Sequence, residues 1–219
     1  MIKPILFLFF AVGCSLFSGL LLGCGKNFSL KIGDQDIYAF GNEESCNFIT
    51  SNGFRVSWKS SPPVNIIITP SVPTEYDSVI LNAALIWNSA KGRPLVKVYR
   101  DDSFKNDPGY DQTNAIYWMT TWDDDLGNQQ ARTSVRWDGS KLQDADIRIN
   151  AKNFLYYKEG DTSIGGRVHL ESLILHEFGH ALGLVHNEQT ESVMQAYLKS
   201  QTVRNQPGPV DVRSLGCEY

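Results

Sequence analysis

His176-Glu177-Phe178-Gly179-His180-Ala181-Leu182-Gly183-Leu184-Val185-His186 is the stretch on which the reading of this chain turns. With Leu170 and Ile174 upstream, Phe178, Ala181 and Leu182 repeat at helical spacing, which predicts a helix over 169–182. Gly183, free to take a left-handed conformation, should end it. His176 and His180 then lie one turn apart on the same face, so their imidazoles can converge on one point. Glu177, next to His176, can reach a water on a metal held there without being a ligand itself. A sharp turn at Gly183 would swing the chain back and bring up His186 as a third nitrogen. Three neutral imidazoles leave the fourth tetrahedral position to water, the arrangement of a catalytic rather than a structural Zn2+ site, and one such ion is expected.

Working outward, 64–69 is a β-branched run stopped by Pro70 and reads as a strand buried on both faces. Thr74 and Asp77 make a capping-box pattern before Ile80, Ala83, Ala84 and Trp87, which repeat at helical spacing as far as Gly92. Four further strands are expected at 95–99, 115–122, 132–138 and 145–150. The order argues for an α+β domain with one sheet. Residues 25–63, rich in Gly, Asn, Ser and Pro, read as a tether with short extended pieces.

The 219 residues are 42% apolar and carry a net charge of −4, enough apolar content for one core and too little positive charge for a nucleic-acid partner. At the N-terminus, Lys3 precedes an apolar stretch over 5–22 closed by small residues, the layout of a secretory signal; a permanent membrane span is the alternative. Leu21-Leu22-Gly23-Cys24 resembles a bacterial lipoprotein signal, which implies cleavage before Cys24, lipid on its thiol, and a bacterial cell-envelope protein held at the outer membrane or cell surface, outside the cytoplasm. The division expected is a signal over 1–23, a lipidated tether over 24–54 and a catalytic domain over 55–219, acting as a monomer. Cys46 and Cys217 then remain in an oxidising compartment and are expected to pair, with two free thiols as the alternative.

The run from His176 to His186 resembles the metzincin metallopeptidase signature, with Ser192-Val193-Met194 similar to the Met-turn that follows it. Within that group the sequence from His176 to Leu184 resembles the matrixins. The resemblance, specific at the histidine helix and loose elsewhere over 55–216, implies a zincin-like twisted five-stranded mixed sheet, two long helices and a short C-terminal helix, which 209–215 could form with Pro209 in its first turn. It also implies Met194 as an apolar floor under the metal and Gly183 as the turn. Ala196 stands where matrixins usually have Pro, and Tyr197 lies one position beyond the place of an astacin-type tyrosine ligand. With three histidines committed, only His169 is left for a second zinc, so that site is not expected, and His169 reads as a helix-start residue. Cys46, in Glu44-Ser45-Cys46-Asn47, does not match a cysteine switch. Asp123-Asp124-Asp125, and Asp144 with Asp146, offer oxygens that Ca2+ would accept.

The activity expected is hydrolysis of peptide bonds, with protein or peptide substrates extended along a sheet edge such as 132–138, and residues 195–201 lining a pocket. A non-catalytic lipid-anchored zinc-fold binding protein and a zinc hydrolase of a non-peptide bond share the same metal site.

Overall fold

The structure, a computed structural model, describes residues 46–162 and 164–219 together with the strand course of 30–32 and 35–36. The signal expected at 1–23 and the lipid site expected at Cys24 lie outside these residues. Among the described residues no helix is long and apolar enough to cross a membrane.

The elements run β1 (Leu30–Ile32), β2 (Gln35–Asp36), β3 (Thr50–Ser51), β4 (Phe54–Arg55), β5 (Val64–Ile68), α1 (Asp77–Lys91), β6 (Val96–Arg100) and β7 (Ala115–Met119). They continue with β8 (Ala131–Asp138), β9 (Lys141–Asn150), β10 (Tyr156–Tyr157), β11 (Val168–His169), α2 (Leu170–Ala181) and α3 (Pro209–Leu215). The fold is α+β, built on a five-stranded mixed sheet in the order β8-β9-β7-β5-β6. β9, β7, β5 and β6 run parallel to one another, while β8 is antiparallel to β9. β1 adds to the outer side of β8 in parallel, with Leu30 opposite Thr133 and Ile32 opposite Val135, and β2 pairs with β1.

One face of the sheet carries the helices. Ile66, Ile68, Ile116, Ile147 and Ile149 form its inner layer, and Trp87 of α1 and Phe178 of α2 are buried against it. The indole N–H of Trp87 donates to the Leu175 carbonyl at 2.8 Å, which fixes the two helices side by side. α2 is buried on nearly all sides rather than along one stripe, with Trp58 and Tyr219 reaching the carbonyls of Ala181 and Leu182 at its C-terminal end.

Two expectations need correction. The Thr74–Asp77 capping box does not form: no side-chain cap bond is made, and Asp77 instead accepts from Arg100 Nε at 2.8 Å and from Arg100 Nη2. A bidentate guanidinium is the stronger partner for that carboxylate. The core also begins before residue 64: Phe48, Ile49, Val56 and Trp58 are buried, and the Trp58 indole donates to the Ala181 carbonyl at 2.8 Å. Polar neighbours masked this apolar set, whose members are spread too thinly to form a periodic pattern.

Cys46 and Cys217 are bridged, with Cα atoms 6.0 Å apart across 171 residues of chain. Closing so long a loop restricts the unfolded ensemble, with an upper value of about 5 kcal/mol in the chain-entropy treatment. Reduction is expected to lower unfolding stability by about 2–5 kcal/mol, read as a shift in denaturant midpoint. An unchanged midpoint would remove the bridge from the stability argument.

On the other face of the sheet, Ile67, Ala115 and Tyr117 pack with Phe104 and Met119 in a second small cluster, so β5 is buried on both sides as expected. Beside it Asp144 and Asp146 of β9 are buried. Asp146 Oδ2 accepts from the Gly109 N–H at 2.7 Å, while one oxygen of each carboxyl has no hydrogen-bond partner. Burial pushes Asp146 up to about 7 and Asp144 to about 6. A carboxyl that binds its proton more tightly folded than unfolded loses stability for the fold as pH rises from about 4 through its folded value. Asp146→Asn keeps an acceptor for Gly109 and removes the charge. It is expected to flatten the fall in stability between pH 4 and 7, measured by denaturant titration at several pH values. An unaltered slope would show that the carboxyl is solvated.

The other acidic stretch is on the surface, where Asp124 pairs with Lys152 at 2.7 Å. Among the described residues neither acidic set gathers three carboxylates within ligating distance.

Candidate active site

α2 supplies His176 and Glu177 from adjacent positions and His180 from one turn further on. Gly183 follows with φ 98° and ends the helix. A Cβ there would lie 2.6 Å from the Val56 carbonyl oxygen, so glycine is required by both conformation and space. The chain turns back through Leu184 and Val185, held by main-chain bonds from Val185 to Asn47 and from Ile49 to Gly183, and presents His186. The segment before residue 64 thus braces the loop that carries the third histidine.

The three imidazoles converge. Their ligand atoms all lie within 4.8 Å of one another, and His180 Nε2 is 3.2 Å from His186 Nε2. Two nitrogens bound tetrahedrally to zinc at about 2.0–2.1 Å sit about 3.3 Å apart, so the spacing suits that ion. His176 Nδ1 lies 2.8 Å from the Val193 carbonyl and His180 Nδ1 2.8 Å from the Leu184 carbonyl. Those carbonyls only accept, so each Nδ1 carries the proton and each Nε2 offers its lone pair. Burial holds all three rings neutral: it takes His180 down to about 4 and His176 and His186 well below their usual value. Neutral, oriented imidazoles are what a zinc ion binds.

Glu177 is fully buried. Its Oε2 accepts the Thr133 hydroxyl at 2.5 Å, and its Oε1 has no hydrogen-bond partner among the described residues. Burial raises the carboxyl to about 8, against the opposing pull of the Thr133 hydroxyl and the Arg132 charge. A bound dication would favour the charged form.

Met194 is buried beneath the histidine helix. A Cβ on Gly179 would sit 2.2 Å from the Met194 sulfur, so the glycine between Phe178 and His180 is the space that Met194 fills. The turn 192–194 is itself tied down by Asp211 of α3. Asp211 Oδ1 accepts the Ser192 hydroxyl at 2.6 Å, and its Oδ2 accepts the Val193 and Gly208 N–H groups at 2.9 Å each. Asp211 therefore holds in place Val193, the residue whose carbonyl orients His176. Sequence reading missed both Asp211 and Thr133; for Asp211 the only local signal was an acidic residue in the first turn of a Pro-initiated helix.

His169 stands outside the cluster, at the start of α2, with Nδ1 2.7 Å from the Ser172 hydroxyl and its ring against Tyr157. Beyond the Met-turn, Ala196 and Leu198 are buried, whereas Tyr197 is exposed and its carbonyl accepts from Arg204 Nη2 at 2.7 Å.

Comparison with known families agrees with this geometry. The family model described as Matrixin matches residues 133–216, from β8 through the histidine helix to α3. No curated protein matches the chain. The match lies over the converged histidines, their glycine turn and the methionine beneath them, so across residues 133–216 the chain is similar to the matrixins, a family of zinc metallopeptidases.

Proposed function

We propose that the protein is a zinc-dependent endopeptidase that cuts peptide bonds in extracytoplasmic proteins, held at the bacterial cell envelope by lipid on Cys24. The observation that carries the catalytic part is the pairing of three buried, oriented imidazoles with a buried carboxylate that has one oxygen tied and one open. The anchor rests on the sequence alone.

His176, His180 and His186 would hold one zinc ion. When bound, zinc supplies Lewis acidity, polarising the scissile carbonyl and making water a stronger acid. Glu177 takes the water proton on Oε1 and delivers it to the leaving amine. Its Oε2 stays on Thr133, so the carboxylate does not rotate between the two transfers.

The substrate would lie extended along the outer side of β8, where main-chain bonds give affinity and pockets give side-chain choice. β1 pairs with that side over Leu30–Ile32, so a peptide docking there takes the place of β1.

The test is metal analysis of the purified protein together with cleavage of a diverse peptide library, with and without a chelator, beside a panel of non-peptide esters. About one zinc per chain and chelator-sensitive peptide cleavage are expected. Ester hydrolysis without peptide cleavage would move the protein to another class of zinc hydrolase, and metal-free, inert protein would end the catalytic reading.

A further inference from the structure

We infer that Thr133 is a positioning residue for the Glu177 carboxylate, keyed through β8 to the strand edge on which substrate binds. The inference rests on the peptidase reading and deepens it.

Thr133 and Glu177 lie 44 residues apart and on different elements, yet both are fully buried and in direct contact. The Thr133 hydroxyl, with one proton to give, is 2.5 Å from Glu177 Oε2 and 3.3 Å from the Glu177 main-chain carbonyl, so the carboxylate receives the bond. A glutamate has three rotatable bonds, and among the described residues no other side chain hydrogen-bonds Oε2. Oε1 has no partner, which leaves it as the oxygen free to face a reacting water.

The main chain of Thr133 is meanwhile fixed on both sides: it is in register with Ile147 of β9 and with Leu30 of β1. The same residue therefore sets the orientation of the base and occupies the strand on whose outer side an extended peptide would pair in place of β1. A substrate seated on β8 and a carboxylate hung from β8 share one reference frame, which is the condition for a small, repeatable gap between water, base and scissile carbonyl. Thr133 touches no reacting atom and acts only through Glu177.

Thr133→Val keeps the shape and removes the donor, whereas Thr133→Ser keeps the donor and removes a methyl. In the zinc-loaded full chain, Thr133→Val is expected to lower kcat about ten- to hundredfold, the span that follows from losing a hydrogen bond to a charged group. KM and zinc content should stay within twofold, and Thr133→Ser should recover kcat to within threefold of the parent. A second readout does not need turnover: affinity for a short peptide hydroxamate, whose acidic O–H needs an aligned carboxylate beside the metal, should fall about tenfold in Thr133→Val and return in Thr133→Ser.

Unchanged kcat in Thr133→Val overturns the inference, as does a Thr133→Ser variant no better than Thr133→Val, which would make the residue a packing element. If the parent cleaves no peptide, the peptidase reading falls and hydroxamate affinity alone decides: the valine loss with serine recovery still supports the role of Thr133, and equal affinity in all three proteins overturns it.

Discussion

Glu177→Gln is expected to bind zinc like the parent, to fold at least as stably, and to lose kcat by about 10²- to 10⁴-fold, the span that a positioned general base contributes. The substitution is close to isosteric, and the amide oxygen can still accept the Thr133 hydroxyl, so the local structure is kept. What disappears is the lone pair that takes a proton from water. The three histidines are untouched, and their Nδ1 partners at 193 and 184 are main-chain carbonyls that do not depend on Glu177. Metal content and turnover should therefore separate cleanly. Folding stability should not suffer, because the parent holds a carboxyl whose charged form burial disfavours, and the neutral amide avoids that cost. The checks are zinc per chain by elemental analysis and kcat on a peptide taken from a mapped cleavage site. A glutamine variant that cleaves at near the parent rate would take Glu177 out of the mechanism.

The histidine helix was legible in the sequence because its information is local: a 3.6-residue repeat, two ligands one turn apart and a glycine at the stop all lie within a dozen residues. α3 was expected from the family resemblance, with Pro209 marking where its first turn lies. The Cys46–Cys217 bridge followed from an even cysteine count rather than from any pattern between the two positions. What could not be read is long-range. Thr133 looks like any strand threonine until the sheet closes over α2, and Asp211 like any surface acid in a first turn until α3 docks under the Met-turn. Asp77 was misread for the complementary reason: a local capping rule pointed inward to Thr74, while the guanidinium that outcompetes it arrives from Arg100, 23 residues away. Residues 46–58 looked like tether because burial there comes from four scattered side chains braced by the third-ligand loop, an arrangement with no period to detect.

His186→Ala should abolish turnover by a different route, through the metal. His176 and His180 are both on α2 and keep their places without it, but two imidazoles leave two of four tetrahedral positions to water. Losing a mere outer partner of a ligand costs about 10–100-fold in metal affinity, so losing the ligand itself should cost more than about 100-fold. The apo fold has little reason to fail. The loop is held by Gly183 and by main-chain bonds at Ile49 and Val185, and at neutral pH the lost ring is an uncharged one. Zinc should therefore raise the melting temperature of the parent, since a ligand that binds only the folded state stabilises it in proportion to the logarithm of its excess over Kd. The same zinc concentration should leave the alanine variant where its apo form melts. Dialysis against a weak chelator followed by metal analysis gives the direct reading: full occupancy in the parent, little in the variant. Equal occupancy in both would mean that His186 is not a ligand, and the open coordination corner on which water activation depends would have to be built from some other group.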